Sequence, residues 1–246
     1  MTLLQLGLPA VGLATAALSG VAGLGGGTIL IGALYALGLT PTVAVPLHAA
    51  IQAASNGSRT VAYFPSVEWH AAGWFLLGAV PAPFLIAPFA AHANVYAVDL
   101  LLAALILVSL APEKKDAARL PLPAAMIGAG ALAAGLGMFT GATGLFISRL
   151  FLRPDWKKET VVGTLALCQL IGHLLKIAAY GTAGFSVLAR PDLLWPLIAA
   201  VVLGTAAGRL LNQHLSEERF RALFKLILVA LAAKLIWDGT RGLGWI

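Results

Sequence analysis

The chain has 246 residues, of which 60% are hydrophobic and 11% charged, and its mean hydropathy is +0.91. A soluble domain carries about 25% charged residues and has no interior large enough to hide this much apolar surface, so an ordinary soluble protein is excluded. Sixteen Lys+Arg face ten Asp+Glu; in so apolar a chain this excess reads as the basic bias of inner membrane loops rather than as a nucleic-acid footprint, and no nucleic-acid partner is expected.

Apolar segments run over 4–22, 28–39, 42–64, 69–91 and 94–111. No basic stretch precedes the first, which therefore reads as a span and not as a cleaved leader. A polar linker follows, carrying Glu113, Lys114, Lys115, Asp116 and Arg119. Further apolar segments occupy 121–139, 145–152, 160–180, 191–208 and 219–240. Two of them, 28–39 and 145–152, are shorter than the roughly 17–25 residues that span a bilayer. Each follows a glycine-rich break, Gly23-Leu24-Gly25-Gly26-Gly27 or Thr140-Gly141-Ala142-Thr143-Gly144. Broken backbone at membrane depth survives only when buried in protein or lining a watered cavity, so each pair is predicted to form a helical hairpin that returns to its starting side, fully or as a re-entrant loop.

Basic residues orient this layout. With the N-terminus outside, the linker and the 149–158 and 209–221 stretches face the cytoplasm, holding ten basic residues: Lys114, Lys115, Arg119, Arg149, Arg153, Lys157, Lys158, Arg209, Arg219 and Arg221. Arg190 and Arg241 remain outside. If the hairpins crossed once each, the best orientation would give only seven inside against five outside, so returning hairpins are preferred. The expected fold is all-α: a polytopic integral membrane protein of two inverted-topology repeats, each a broken or re-entrant hairpin plus three transmembrane helices. The first repeat is 1–111, the cytoplasmic linker 112–120 and the second repeat 121–246. The chain is expected to be multi-pass in the cell (inner) membrane, with both termini outside and the lipid bilayer as its surroundings.

The halves also match by sequence. Gly23 and Gly26 align with Gly141 and Gly144 at an offset of 118; after one gap, Gln52, Asn56, Arg59 and Tyr63 align at 117 with Gln169, His173, Lys176 and Tyr180. The spacing of four, three, four puts each quartet on one helical face. Arg59 and Lys176 lie near the ends of their spans, where snorkelling is one reading and a cationic pair facing a cavity the other. Intramembrane cations are costly and need an offset; of the ten acids, only Asp99 lies well inside a long span, on another helix, which leaves room for an anionic ligand. The helices beginning near Thr28 and Leu145 would aim free N–H groups at the midplane, where such termini bind anions; the same glycines also serve tight helix packing. Thr28, Thr140 and Thr143 either donate to a ligand or bond back to their own helices. His48 and His173 read either as packed hydrogen-bonding residues or as proton relays, and no metal cluster or other cofactor is expected. Asp99 and Asp192 read as solvated near outer ends of spans, and Tyr63 and Tyr180 as interfacial. The candidate substrate-binding residues are thus Arg59, Lys176, Asn56, His173, Gln52, Gln169, Gly25, Gly26, Thr28, Gly141, Thr143 and Gly144.

The run Gly20-Val21-Ala22-Gly23-Leu24-Gly25-Gly26-Gly27, its counterpart Thr140-Gly141-Ala142-Thr143-Gly144 and the two-half layout resemble the TauE/SafE sulfite exporter family of membrane transporters over nearly the whole chain. The resemblance implies transport of small anions, often sulfur-containing: sulfite, sulfoacetate and related sulfonates. The second break departs from the first, with Thr143 at the place of Gly25 and Leu145 at that of Gly27.

The resulting expectation is a secondary transporter, an exporter of small anions, and not an enzyme. No GxxxxGK[ST] loop is present for ATP-driven transport, and the single cysteine, Cys168, rules out a self-contained thiol–electron carrier. An intramembrane hydrolase has no nucleophile–base spacing to rest on. A passive anion channel, or a carrier of small carboxylates, is the alternative, and the reading leaves room for a homo-oligomer.

Overall fold

The computed structural model describes residues 3–22, 26–111, 120–211 and 217–246. The described residues form eleven α-helices and no strand. Gly25 and the linker residues Lys114, Lys115 and Arg119 lie outside them. In chain order the helices are α1 (Leu3–Ala22), α2 (Gly26–Ala36), α3 (Pro41–Ala62), α4 (Trp69–Ala79), α5 (Pro81–Ala91), α6 (Val95–Leu110), α7 (Leu122–Thr140), α8 (Gly144–Phe151), α9 (Lys158–Thr182), α10 (Pro191–Leu211) and α11 (Glu217–Gly242).

Local chemistry sets several boundaries. Pro41 and Pro81 open α3 and α5, where a missing N–H costs nothing. Asn94 caps α6 by accepting from the Tyr96 amide at 2.9 Å, an orphan donor that needs a partner. The segment read as one span over 69–91 is two helices, α4 and α5, bent by 40°. Pro81 explains the bend: its ring denies the chain one intrahelical bond and crowds the carbonyl four residues back.

Two of the helices, α7 and α9, are by themselves long and apolar enough to cross a membrane, and the bent α4–α5 pair passes the same test jointly. Bulky apolar side chains point outward, among them Leu85 at 70% and Phe89 at 72% exposure, and Trp69, Trp195, Trp237 and Trp245 are exposed as well. Lipid, not water, suits such a surface.

The helices pack in recurring pairs: α1 with α10, α3 with α9, α4 and α5 with α7, and α6 with α11. Short α2 lies against α1, α3, α6 and α11; short α8 lies against α7, α9, α6 and α2. Small residues permit the closest crossings. A Cβ on Gly78 would stand 2.1 Å from the Ile127 carbonyl oxygen, and one on Gly130 the same distance from that of Phe75, so α4 and α7 touch backbone to backbone, as helices in lipid do where small residues meet. Two arginines after the α7–α8 break tie down the ends of the linker. Arg149 donates to the carbonyls of Ser109, at 2.7 Å, and Ala111, while Arg153 donates to that of Leu120 at 3.3 Å.

One acid and one tyrosine differ from expectation. Asp192 does form an exposed pair with Arg190 at 2.8 Å. Asp99 is buried instead, with Oδ1 lacking any hydrogen-bond partner, because α6 packs that face against α11. Tyr180 is fully buried and donates to the Met138 carbonyl at 2.7 Å, satisfying a carbonyl near the end of α7.

Gly78→Ala or Gly130→Ala should lower stability in detergent by at least about 1–3 kcal/mol, the usual range for overpacking. A thermal melt followed by size-exclusion chromatography reads the effect; an unchanged melt would mean that α4 and α7 are not in backbone contact.

Candidate functional site

Between α3 and α9 lies a cavity. From α3 it is lined by His48, Gln52, Asn56 and Arg59, and from α9 by Cys168, Gln169, Gly172, His173 and Lys176. Gly27 and Thr28 enter from the first turn of α2, and Ala142, Thr143, Gly144 and Leu145 from the α7–α8 break. The helical period explains the α3 and α9 sets, because positions three or four apart share a face. The two breaks bring the first turns of α2 and α8 to the same space.

Each glutamine covers a glycine. A Cβ on Gly27 would lie 3.0 Å from Gln52 Cδ, and one on Gly144 would lie 2.9 Å from Gln169 Oε1. Gly27 and Gly144 are 117 residues apart, as are Gln52 and Gln169. The contact therefore recurs at a single offset, and the sequence match of Gly26 to Gly144, with its gap, shifts by one residue.

The broken backbone is held by polar side chains. His48 Nε2 meets the Gly27 carbonyl at 2.9 Å; a carbonyl only accepts, so this nitrogen carries the hydrogen. Lys176 Nζ donates to the Gly141 carbonyl at 2.7 Å. Lys176 is only 3% exposed, so its amine turns inward instead of snorkelling. Arg59 is half-buried and lines the cavity. Tyr35 donates to the Phe139 carbonyl.

Several buried groups in the cavity have no partner: His48 Nδ1, His173 Nδ1 and Asn56 Nδ2. The rings of His48 and His173 are edge to face with centroids 5.5 Å apart. A buried polar atom without a partner costs about 1–3 kcal/mol, and these three share one cavity. No carboxylate lines the cavity among the described residues, and no group of three His, Cys, Asp or Glu side chains is positioned there to share a metal ion. Thr140 bonds back to the Leu136 carbonyl at 3.0 Å, and Thr143 reaches the Ala133 carbonyl at 3.4 Å.

The cavity thus gathers Arg59, Lys176, Asn56, His173, Gln52, Gln169, Thr28, Thr143 and Gly144 of the sequence-derived set. Gly26 and Gly141 do not line it. Gly141 has φ of +71°, which a side chain rarely tolerates, and a Cβ there would strike Ile31 Cγ1 at 2.7 Å; packing accounts for this glycine. His48 and Gly27 were not in that set. Its signal was present in sequence, since His48 lies four residues before Gln52 on the quartet's face.

Fold and cavity define a class: a membrane protein, all-helical among the described residues, with a polar cavity lined by Arg59 and Lys176. The family described as Sulfite exporter TauE/SafE matches residues 8–235, and the chain belongs to it. The family is one of membrane transporters, not enzymes. No curated protein and no solved structure matches the chain.

The glycines separate two roles. Gly27→Ala and Gly144→Ala need only displace a flexible glutamine amide, and should leave stability within about 1 kcal/mol while weakening ligand binding. Gly141→Ala should cost more than about 1 kcal/mol, from φ strain and the Ile31 clash together. Melting temperatures of the three variants decide; equal losses at all three would contradict the distinction.

Proposed function

We propose that the chain is a secondary transporter of small sulfur oxyanions, sulfite, sulfoacetate or related organosulfonates, and that it exports them across the inner membrane. The observation that carries this reading is the cavity's composition: Arg59, Lys176 and the orphaned Asn56 amide, beside two helix N-termini, with no lining carboxylate among the described residues. Helix N-termini attract anions through free N–H groups and the macrodipole. Arginine grips an oxyanion through two parallel bonds, while lysine is a compact point charge, and two unequal cations suit a small pyramidal or tetrahedral anion.

An inverted repeat accounts for how one anion meets both halves. In this reading 1–111 and 121–246 are the repeats, joined by the cytoplasmic linker 112–120. Exchanging halves turns the α1·α10 packing into that of α7 with α4–α5, maps α2·α3 onto α8·α9, and leaves α3·α9 and α6·α11 as pairs about the axis. The Gly27–Gln52 and Gly144–Gln169 contacts exchange likewise. Discontinuous helices meeting at the midplane are a common form of transporter site. The bonds from Arg149 and Arg153 to both ends of the linker support a shared cytoplasmic side for these stretches, with both termini outside.

Asn56→Ala is the sharpest test. It removes a buried donor without a partner, so stability should hold or rise, while sulfite or sulfoacetate affinity should fall by about tenfold or more, the worth of a hydrogen bond to a charged group. Arg59→Ala should weaken binding by about 10- to 150-fold, with Arg59→Lys recovering only part because the fork is lost. Calorimetry on folded protein measures both; wild-type affinity in both alanine variants would remove the anion from this cavity. Topology has its own check. Single cysteines in a Cys168→Ala background should be blocked from impermeant thiol reagents at 112–120 and reactive at 181–190 in sealed cells, and external labelling of the linker would overturn the inverted layout.

A further inference from the structure

We propose that anion binding is coupled to a proton: the His48–His173 pair takes up one proton as the anion enters and releases it as the anion leaves. The proposal rests on the anion site proposed above. Both rings lie in the cavity, 0% and 5% exposed, with centroids 5.5 Å apart. His48 Nε2 holds its hydrogen on the Gly27 carbonyl, so in the neutral ring Nδ1 is a lone pair facing no donor. His173 Nδ1 is likewise without a partner. The neutral His48 ring, with its one hydrogen on the Gly27 carbonyl, presents only an acceptor to the cavity, which repels an oxyanion. Protonation turns Nδ1 of His48 into a donor and adds a positive charge.

The surrounding charges decide when that happens. Arg59, Lys176 and Cys168 share the cavity. With no carboxylate lining it among the described residues, a third positive charge is opposed while the cavity is empty of anion. An anion of charge −1 or −2 reverses the balance. Lys176 already has its acceptor on Gly141, whereas each imidazole has an unmet nitrogen, so the proton goes to the imidazoles. Groups on the neighbouring helices point elsewhere. The Tyr35 hydroxyl of α2 is on the Phe139 carbonyl, Tyr180 of α9 is on Met138, and Arg149 of α8 is on Ser109. Glu68 and His70 pair with one another before α4 and at its start, and Asp192 of α10 pairs with Arg190. Asp99 lies on α6, outside the cavity lining.

Proton and anion then favour one another's binding by the same factor, as linkage requires. A divalent anion travelling with one proton still carries one net negative charge, which an inside-negative potential drives outward. Coupling is therefore compatible with export.

The test is calorimetry of purified full-length protein with sulfite, sulfoacetate and methanesulfonate, each in two buffers of different ionisation enthalpy, corrected for protons on the ligand itself. Every anion that binds should bring uptake of about one proton, and its affinity should rise as pH falls by up to about tenfold per unit. The His48→Gln/His173→Gln variant should bind more weakly, with no proton uptake and a flat pH profile. Glutamine at 48 retains a donor for the Gly27 carbonyl, and the wild-type measurement stands whether or not the variant folds. Binding without proton uptake overturns the coupling while leaving the anion site standing. Uptake that persists in the double variant places the proton elsewhere, on Lys176 first, and overturns the assignment. Failure of all three anions to bind removes the anion site and the coupling with it.

Discussion

Backbone broken inside a helical bundle must find partners for the carbonyls freed where a helix ends, and the interior of this protein is arranged around that need. Carbonyls at the end of α7 are met by side chains from other positions in the fold, Phe139 by Tyr35, Gly141 by Lys176 and Met138 by Tyr180, and the Gly27 carbonyl in the first turn of α2 accepts from His48 as well. These bonds cross from α3 to α2, from α2 to α7 and from α9 to α7. They hold the first turn of α2 and the end of α7 against the α3–α9 pair beside the cavity. The residues that brace the breaks are also residues that face the space between them, His48 and Lys176 most directly. A substitution at either one disturbs scaffold and cavity together, whereas Asn56, which braces nothing through its amide nitrogen, leaves the two separable.

Positions that match between the two sequence segments are unequal in chemistry. Arg59 stands where the second half has Lys176, Asn56 where it has His173, and His48 has Leu165 at the corresponding offset of 117. The α7–α8 break carries threonines at 140 and 143, and Thr140 is spent on its own helix.

Much of this was legible from residues alone. The apolar segments, the two short pieces after glycine breaks and the four-three-four quartets follow from span length and helical period, and the cavity-lining faces of α3 and α9 are those the period predicts. What escaped did so for physical reasons. The bend between α4 and α5 depends on a proline inside an unbroken apolar run, where hydropathy is blind. The exchange of Gly26 for Gly27 opposite Gln52 turns on one residue of register. The burial of Asp99 and the inward turn of Tyr180 are set by which neighbour covers each face, information that lies in the packing of α6 on α11 and of α9 on α7. His48 sits on the quartet's face, but its partner is a backbone carbonyl, and main-chain acceptors leave no mark in a sequence.

The central claim is that a small oxyanion sits between Arg59, Lys176 and Asn56, flanked by Gly27 and Gly144. Selenite has the pyramidal shape and charge of sulfite together with a strong anomalous scatterer, so crystals grown with it locate the anion directly. The account predicts one selenium peak inside the cavity, within hydrogen-bond reach of the Asn56 amide. A protein that binds selenite in solution yet shows its peak on another surface, with the cavity lacking any, would contradict it.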